Sequence, residues 1–283
     1  MKLSLTPPTP LAYFASLVQS DDEFALLEAA ICLGQDDDPD FDVQQVLSEV
    51  DQLQARLKRR MAADASPLQK LRILNQFFYQ DLGFAGNLNH YYDPENSFIH
   101  VVLRSRLAIP ISMAVLWLEL AQSLGLAARG VSFPGHFMVK VNLPHGQVVM
   151  DPLTGQSLSR EALSERLQPF RRQQGLDDEF EAPLGLFLQA SPPRDIVARM
   201  LRNLQEIYTS QEDWARLIAV HNRLIVLLPQ DWPVYRDRGL AHAELSHTAQ
   251  AVDDLQTYLD HVANGVDRSA IAQRMLELQS KSR

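Results

Sequence analysis

Along the first eighty residues the apolar positions recur at three- and four-residue steps, the spacing of one face of a helix. Phe24, Leu26, Leu27, Ala30 and Ile31 follow Ser20-Asp21-Asp22-Glu23, which has the capping-box spacing, and the helix they predict ends near Gly34. Asp42 opens a longer pattern of Val43, Val46, Leu47, Val50, Leu53 and Leu57. The basic run Lys58-Arg59-Arg60 closes it, as suits the negative end of a helix dipole. Ser66-Pro67-Leu68-Gln69 joins a capping box to a proline at the first helical position, and Leu71, Leu74, Phe77 and Phe78 form the apolar face behind it.

The pattern then changes. Asn87 to Ser97 is rich in Asn, Tyr, Asp and Pro and reads as a loop. A helix apolar enough to be buried runs from about Pro110 to Leu124. After Gly125, the β-rich runs Arg129 to Phe133, His136 to Leu143 and Gln147 to Met150, with Pro144-His145-Gly146 as a turn, predict a small antiparallel sheet. Ser159 to Arg172 reads as another helix, and Gln173 to Pro193 as a linker. From Arg194 onward the pattern is helical throughout.

That last region repeats. A shift of 34 aligns Leu201 with Tyr235, Leu204 with Arg238, Gln205 with Gly239, Tyr208 with His242, Leu217 with Ala251, His221 with Leu255 and Pro229 with Ala263. These positions resemble the tetratricopeptide signature, in which small and apolar residues sit where two helices cross closely. The first copy keeps Leu204, Tyr208 and Pro229, and the second keeps Gly239, Ala251 and Leu255. Two units are fewer than the roughly three a free-standing array needs. The helix from Arg268 to Gln279 is expected to cap one end, and the first domain or a partner to cover the other.

The chain has 283 residues, enough for two domains with real cores at about 150 residues each. With 26 basic and 35 acidic residues the net charge is −9, which argues against nucleic acid or an anionic membrane as the main partner. Cys32, the single cysteine, can form neither an internal disulfide nor a cysteine zinc cluster, and fits a reducing compartment. The N-terminus carries Pro7 and Pro8 where an export signal would be apolar, and Leu107 to Leu118 is shorter than the roughly 20 residues of a membrane span. A cytoplasmic protein that does not enter membranes is expected. Asp36, Asp38, Asp40 and Asp42 alternate like the start of a calcium loop, but Phe41 and Leu47 stand where that loop needs Gly and Glu. They read as a solvated acidic loop; His90, His100 and His145 lack metal spacing, and neither a metal nor another cofactor is expected.

Three segments carry the candidate chemistry: Arg106-Leu107-Ala108-Ile109-Pro110-Ile111-Ser112, Phe133-Pro134-Gly135-His136-Phe137 and Met150-Asp151-Pro152. A buried helix, a strand starting in His and a strand ending in Asp resemble the transglutaminase-like core, a papain-related arrangement. In that core a nucleophile at a helix start, a His base and an orienting acid occur in this order. The resemblance implies that His136 is the base and Asp151 the acid, 15 residues apart on neighbouring strands. Counting back from Gly125, the family's cysteine falls on Pro110, which has no reactive side chain. Ser112 is the nearest hydroxyl, and a serine in that place also serves as an ordinary first-turn residue. Cys32, at a helix C-terminal end among apolar neighbours, is a poor substitute because the dipole there disfavours a thiolate.

Asp93-Pro94-Glu95-Asn96-Ser97, Ile109-Pro110-Ile111-Ser112, Pro134-Gly135-His136-Phe137 and Asp151-Pro152-Leu153-Thr154-Gly155, followed by weak repeats, resemble the SirB family of bacterial regulators. That family pairs a transglutaminase-like core with C-terminal tetratricopeptide repeats and has isoleucine-proline before the core helix. One departure is Ala108, where the family has glycine. The expected fold is therefore α+β. A helical N-terminal part and transglutaminase-like core occupy residues 1–172, a linker 173–193, and all-α repeats 194–283. Asn96, Pro110, Pro134 and Gly135 are candidate binding residues, with Asn96 also readable as a loop cap. His136 has two readings, a base or ligand in a surviving cleft and a structural partner of Asp151.

Three functions follow. The first is a non-catalytic interaction or regulatory module with a protein or peptide partner on its helical repeats. The second is a serine-type hydrolase or acyltransferase using Ser112, His136 and Asp151. The third is a cleft that binds a small ligand or peptide end without chemistry.

Overall fold

The structure is a computed structural model that describes residues 8–38, 41–173 and 183–281. In chain order its helices are α1 (Pro10–Leu17), α2 (Leu26–Ile31), α3 (Val43–Lys58), α4 (Pro67–Asn75), α5 (Ile99–Ser105), α6 (Pro110–Ser123), α7 (Arg160–Gln173), α8 (Leu184–Phe187), α9 (Pro193–Ser210), α10 (Trp214–Leu227), α11 (Trp232–Glu244), α12 (Thr248–His261) and α13 (Arg268–Lys281). The strands are β1 (Ala85–Gly86), β2 (Leu107–Ala108), β3 (Ala127–Phe133), β4 (His136–Leu143) and β5 (Gly146–Met150). Two compact units result. One comprises Leu26–Gly34 and Phe41–Ile196; the described residues of the other are 8–25, 35–38 and 197–281. The sequence reading placed all of 1–172 in one domain, whereas residues 8–25 and 35–38 group with the C-terminal helices.

The first unit is built around α6. Eleven of its 14 residues are buried, so it needs cover on every side. Helices α2, α3, α4 and α5 pack against it, as do β3 and β4. The caps that position two of these helices are those the sequence predicts. Asp42 Oδ1 accepts from Gln44 N at 2.8 Å, and at the start of α4 Ser66 and Gln69 exchange hydrogen bonds in a complete capping box. The box expected at Ser20 does not form, since α2 begins only at Leu26. A cap signature is a local preference, and burial of Leu27, Ala29, Ala30 and Ile31 decides where this helix starts.

Strands β3, β4 and β5 form the expected antiparallel sheet, with Phe133 opposite His136 and Val139 opposite Met150. Pro134-Gly135 makes a two-residue turn in which Gly135 takes φ +68, a value open to glycine without strain. On one face Val131, Phe133, Met138 and Val149 pack against Leu163 and Leu167 of α7 and Leu184 of α8. The parallel pair β1–β2, two residues each, is an addition that no alternation in the sequence announces.

In the second unit the sequence period is visible in the helix ends. Helices α10 and α12 are related end to end by the shift of 34, and α9 and α11 end 34 residues apart. The close crossing expected at Gly239 is present: a Cβ there would stand 3.0 Å from Leu255 Cδ2. Helix α13 covers the last pair through Ile271 and Leu278, while α1 packs against α10. The acidic loop is a correction to the sequence reading. Asp37 accepts from Tyr208 Oη at 2.9 Å and lies 2.5 Å from Arg216 Nε, and Asp36 pairs with the buried Arg223. These carboxylates fasten the loop to α9 and α10 and are not merely solvated. Asp40 lies outside the described residues. Among the described residues no helix is long and apolar enough to cross a membrane.

His221, aligned with Leu255 by the repeat, is fully buried and neither ring nitrogen has a hydrogen-bond partner. Burial first, then the charges of Arg238 and His242, push its pKa down to about 4. A depressed folded pKa makes the neutral ring a stabilising feature above the ordinary value of 6.5, and this is lost as pH falls from 6.5 towards 4. Chemical denaturation between these pH values should show an acid loss of about 3 kcal/mol, and His221→Leu should abolish it.

Candidate functional site

The site forms where β4 begins and β5 ends. Antiparallel pairing of β3 with β4 puts His136 at the first position of the central strand, and the β5 register carries Asp151 just past Met150 to its side. His136 Nε2 lies 3.1 Å from Asp151 Oδ1. The same oxygen accepts from Leu153 N at 3.0 Å, and the other carboxylate oxygen meets Arg166 Nη1 at 3.1 Å. Asp151 is buried, which by itself would raise its pKa. The hydrogen bonds from His136 and the Leu153 amide, the charge of His136 and the bond from Arg166 outweigh burial and bring it down to about 2.

The turn behind Asp151 is fixed by its neighbours. Asp151 N donates to Gln156 O at 3.0 Å, and Asp151 O accepts from Gly155 N at 2.8 Å. Tyr79 Oη donates to Pro152 O at 2.8 Å; burial and the nearby Asp151 charge push its pKa up. Asn75 links the turn to the core helix, since its Nδ2 donates to Gly155 O at 3.3 Å and its Oδ1 accepts from Trp117 Nε1 at 3.0 Å. Gly155 has φ +69, and a Cβ there would stand 2.3 Å from Tyr79 Cε2, so both backbone and space require glycine.

The nucleophile side is different. Pro110 is buried at the first position of α6, with Ile109 as an N-cap that offers no side-chain bond. Ser112 is the third residue of the helix. It is fully buried, and its Oγ has no hydrogen-bond partner, so no bond joins it to His136. Cys32 is a buried thiol in the turn after α2. Of the three residues proposed as a catalytic set, the fold therefore brings His136 and Asp151 together and leaves Ser112 outside their hydrogen bonds.

Asn96 acts as a loop clasp, with Nδ2 donating to His90 O at 2.6 Å and Tyr91 O at 3.3 Å and Oδ1 accepting from Asn87 Nδ2 at 2.9 Å. Pro134 is half-buried and Gly135 exposed in the turn before His136. Sequence reasoning missed Arg166, Tyr79 and Asn75. No local motif marks them; Arg166 reaches Asp151 only because Leu163 and Leu167 dock α7 on the sheet.

A His–Asp pair at one end of a three-stranded sheet beside a buried helix, followed by paired helices, defines a transglutaminase-like domain joined to tetratricopeptide repeats. Residues 44–202 match the transglutaminase-like superfamily, and residues 204–276 match the tetratricopeptide repeat. A UPF0162 protein of Xylella fastidiosa strain Temecula1 is 37% identical over 255 residues, which cover 88% of each chain. A UPF0162 protein of Vibrio cholerae is 25% identical over 248 residues, covering 86% of this chain and 88% of that one. Human F-box only protein 21 is 28% identical over 148 residues, 44% of this chain and 24% of that protein. The chain belongs to the transglutaminase-like superfamily, among the UPF0162 proteins.

The electrostatics of Asp151 give a signed expectation. Its folded pKa lies below the ordinary 3.8, so its contribution is complete above pH 4 and is lost as pH falls towards 2. Asp151→Asn should cost about 2 kcal/mol at neutral pH, with the difference from wild type shrinking as pH is lowered through this window in denaturant titrations.

Proposed function

We propose that this protein is a regulatory, protein-binding module whose transglutaminase-like domain performs no catalysis and whose helical repeats take a protein or peptide partner. The first turn of α6 carries this reading. Pro110 occupies the place that the resemblance gives to the nucleophile, and the nearest hydroxyl, on Ser112, is buried without a hydrogen bond. A base and its orienting acid cannot form an acyl intermediate without a nucleophile. They can still anchor a polar ligand group. His136 and Asp151, with Pro134 and Gly135 in the turn before His136, retain that capacity.

The repeats support the partner side, because stacked helix pairs present extended surfaces suited to peptides and helices. The net charge of −9 disfavours nucleic acid and anionic membranes as alternatives. A cytoplasmic location and a role like that of the SirB regulators belong to the same proposal. They rest on the single buried cysteine and on the motifs quoted above. The serine hydrolase reading would need Ser112 Oγ to approach His136, and no observation favours it.

Two measurements test the proposal. Ester hydrolysis, amide hydrolysis and glutaminyl-to-amine transfer should be indistinguishable among wild type, Ser112→Ala and His136→Ala, all at the buffer rate. A wild-type rate lost in both variants would restore the enzyme. For the repeats, hydrogen exchange on the full chain with a captured partner should show protection on α9 to α13. Protection confined to residues 41–196 would remove the repeats from the interaction.

A further inference from the structure

A second site lies in the same unit as the His–Asp pair. Glu49, Gln52, Leu53 and Arg56 form one stripe of α3, and with Leu103 and Arg106 at the end of α5 they line a cavity of about 170 Å³. Leu53 and Leu103 are buried and make its apolar wall. Two arginines share this small space. Among the described residues neither has a carboxylate oxygen within 4.0 Å.

Arg106 is held in place. It caps α5 in the left-handed conformation, φ 63 and ψ 12, which a residue with a Cβ adopts only under constraint. Its N–H donates to Val102 O and its carbonyl accepts from Ala85 N, both at 2.9 Å. The guanidinium stacks over Phe84, 4.8 Å from the ring centroid. Its Nη1 is sealed from solvent without a hydrogen-bond partner, so an anion in the cavity would be met by the other N–H groups of the guanidinium. Burial and the charge of Arg56 both push the Arg106 pKa down, against a smaller opposing pull from Glu49. A positioned guanidinium under repulsion from a second one is a site that an anion would relieve.

We propose that this cleft between α3 and the end of α5 binds a small ligand through one compact oxyanion, a carboxylate or a phosphate group, held by Arg56 and Arg106. The volume is sufficient for one such group. Gln52 can add a donor at the mouth. Glu49, which accepts from Gln45 at 3.4 Å, is the acidic side chain of the lining.

The test is a titration of the full chain with inorganic phosphate and, separately, with acetate at constant ionic strength. The readout is the side-chain Nε–H resonances of Arg56 and Arg106 by NMR, assigned from the variants. Wild type should show saturable shifts of both signals with at least one anion; phosphate alone would mark a phosphate-bearing ligand, and acetate alone a carboxylate. Arg56→Gln alters an exposed side chain, and Arg106→Gly puts glycine at a left-handed position, so both variants should stay folded. Each should weaken binding by about tenfold or more, read on the remaining arginine. No saturable shift in wild type with either anion, or unchanged affinity in both variants, would overturn the assignment.

Discussion

A helix that is apolar on all sides must be covered on all sides, and α6 imposes that requirement on the transglutaminase-like unit. The four helices and two strands around it are arranged as its cover. Its buried Trp117 donates the indole N–H to Asn75, and Asn75 in turn holds the carbonyl of Gly155. The core helix and the turn that presents Asp151 are thereby one connected object. Rigidity at the His–Asp pair follows from packing several residues away.

Within that frame Asp151 collects a ring nitrogen, a backbone amide and a guanidinium on its two oxygens. Burial alone would favour the neutral acid, and only this set of donors keeps the carboxylate charged. Such an arrangement orients an imidazole well. At the start of α6, Pro110 has no reactive side chain and the Ser112 hydroxyl is buried without a hydrogen bond. The fold and a paired His136 and Asp151 are therefore present together, and function has to be argued from the site and not from the fold.

The helical repeats bury polar groups with unequal care. Arg238 is paired to both oxygens of Asp254 and to Asn222, a fully engaged interior cation. His221, close enough to feel its charge, has no hydrogen-bond partner. Loop carboxylates Asp36 and Asp37 supply the counter-charges for Arg223 and Arg216, so residues far apart in the chain complete the same helical unit.

The sequence by itself determined the elements and much of the site. Caps at Asp42 and Ser66, the sheet strands, the buried helix and the 34-residue period were legible because capping, alternation and helical spacing are local properties written into neighbouring residues. His136 and Asp151 were legible through the resemblance of three ordered segments of the chain to the transglutaminase-like core. Tertiary structure alone decided that Ser20 caps nothing, that Asp36 and Asp37 are ion-paired, that Arg166 and Asn75 support Asp151, and that Arg106 faces Arg56 across a cleft. Each of these depends on which faces of distant segments are brought together by burial, and burial is a property of the whole packed unit that no local spacing encodes.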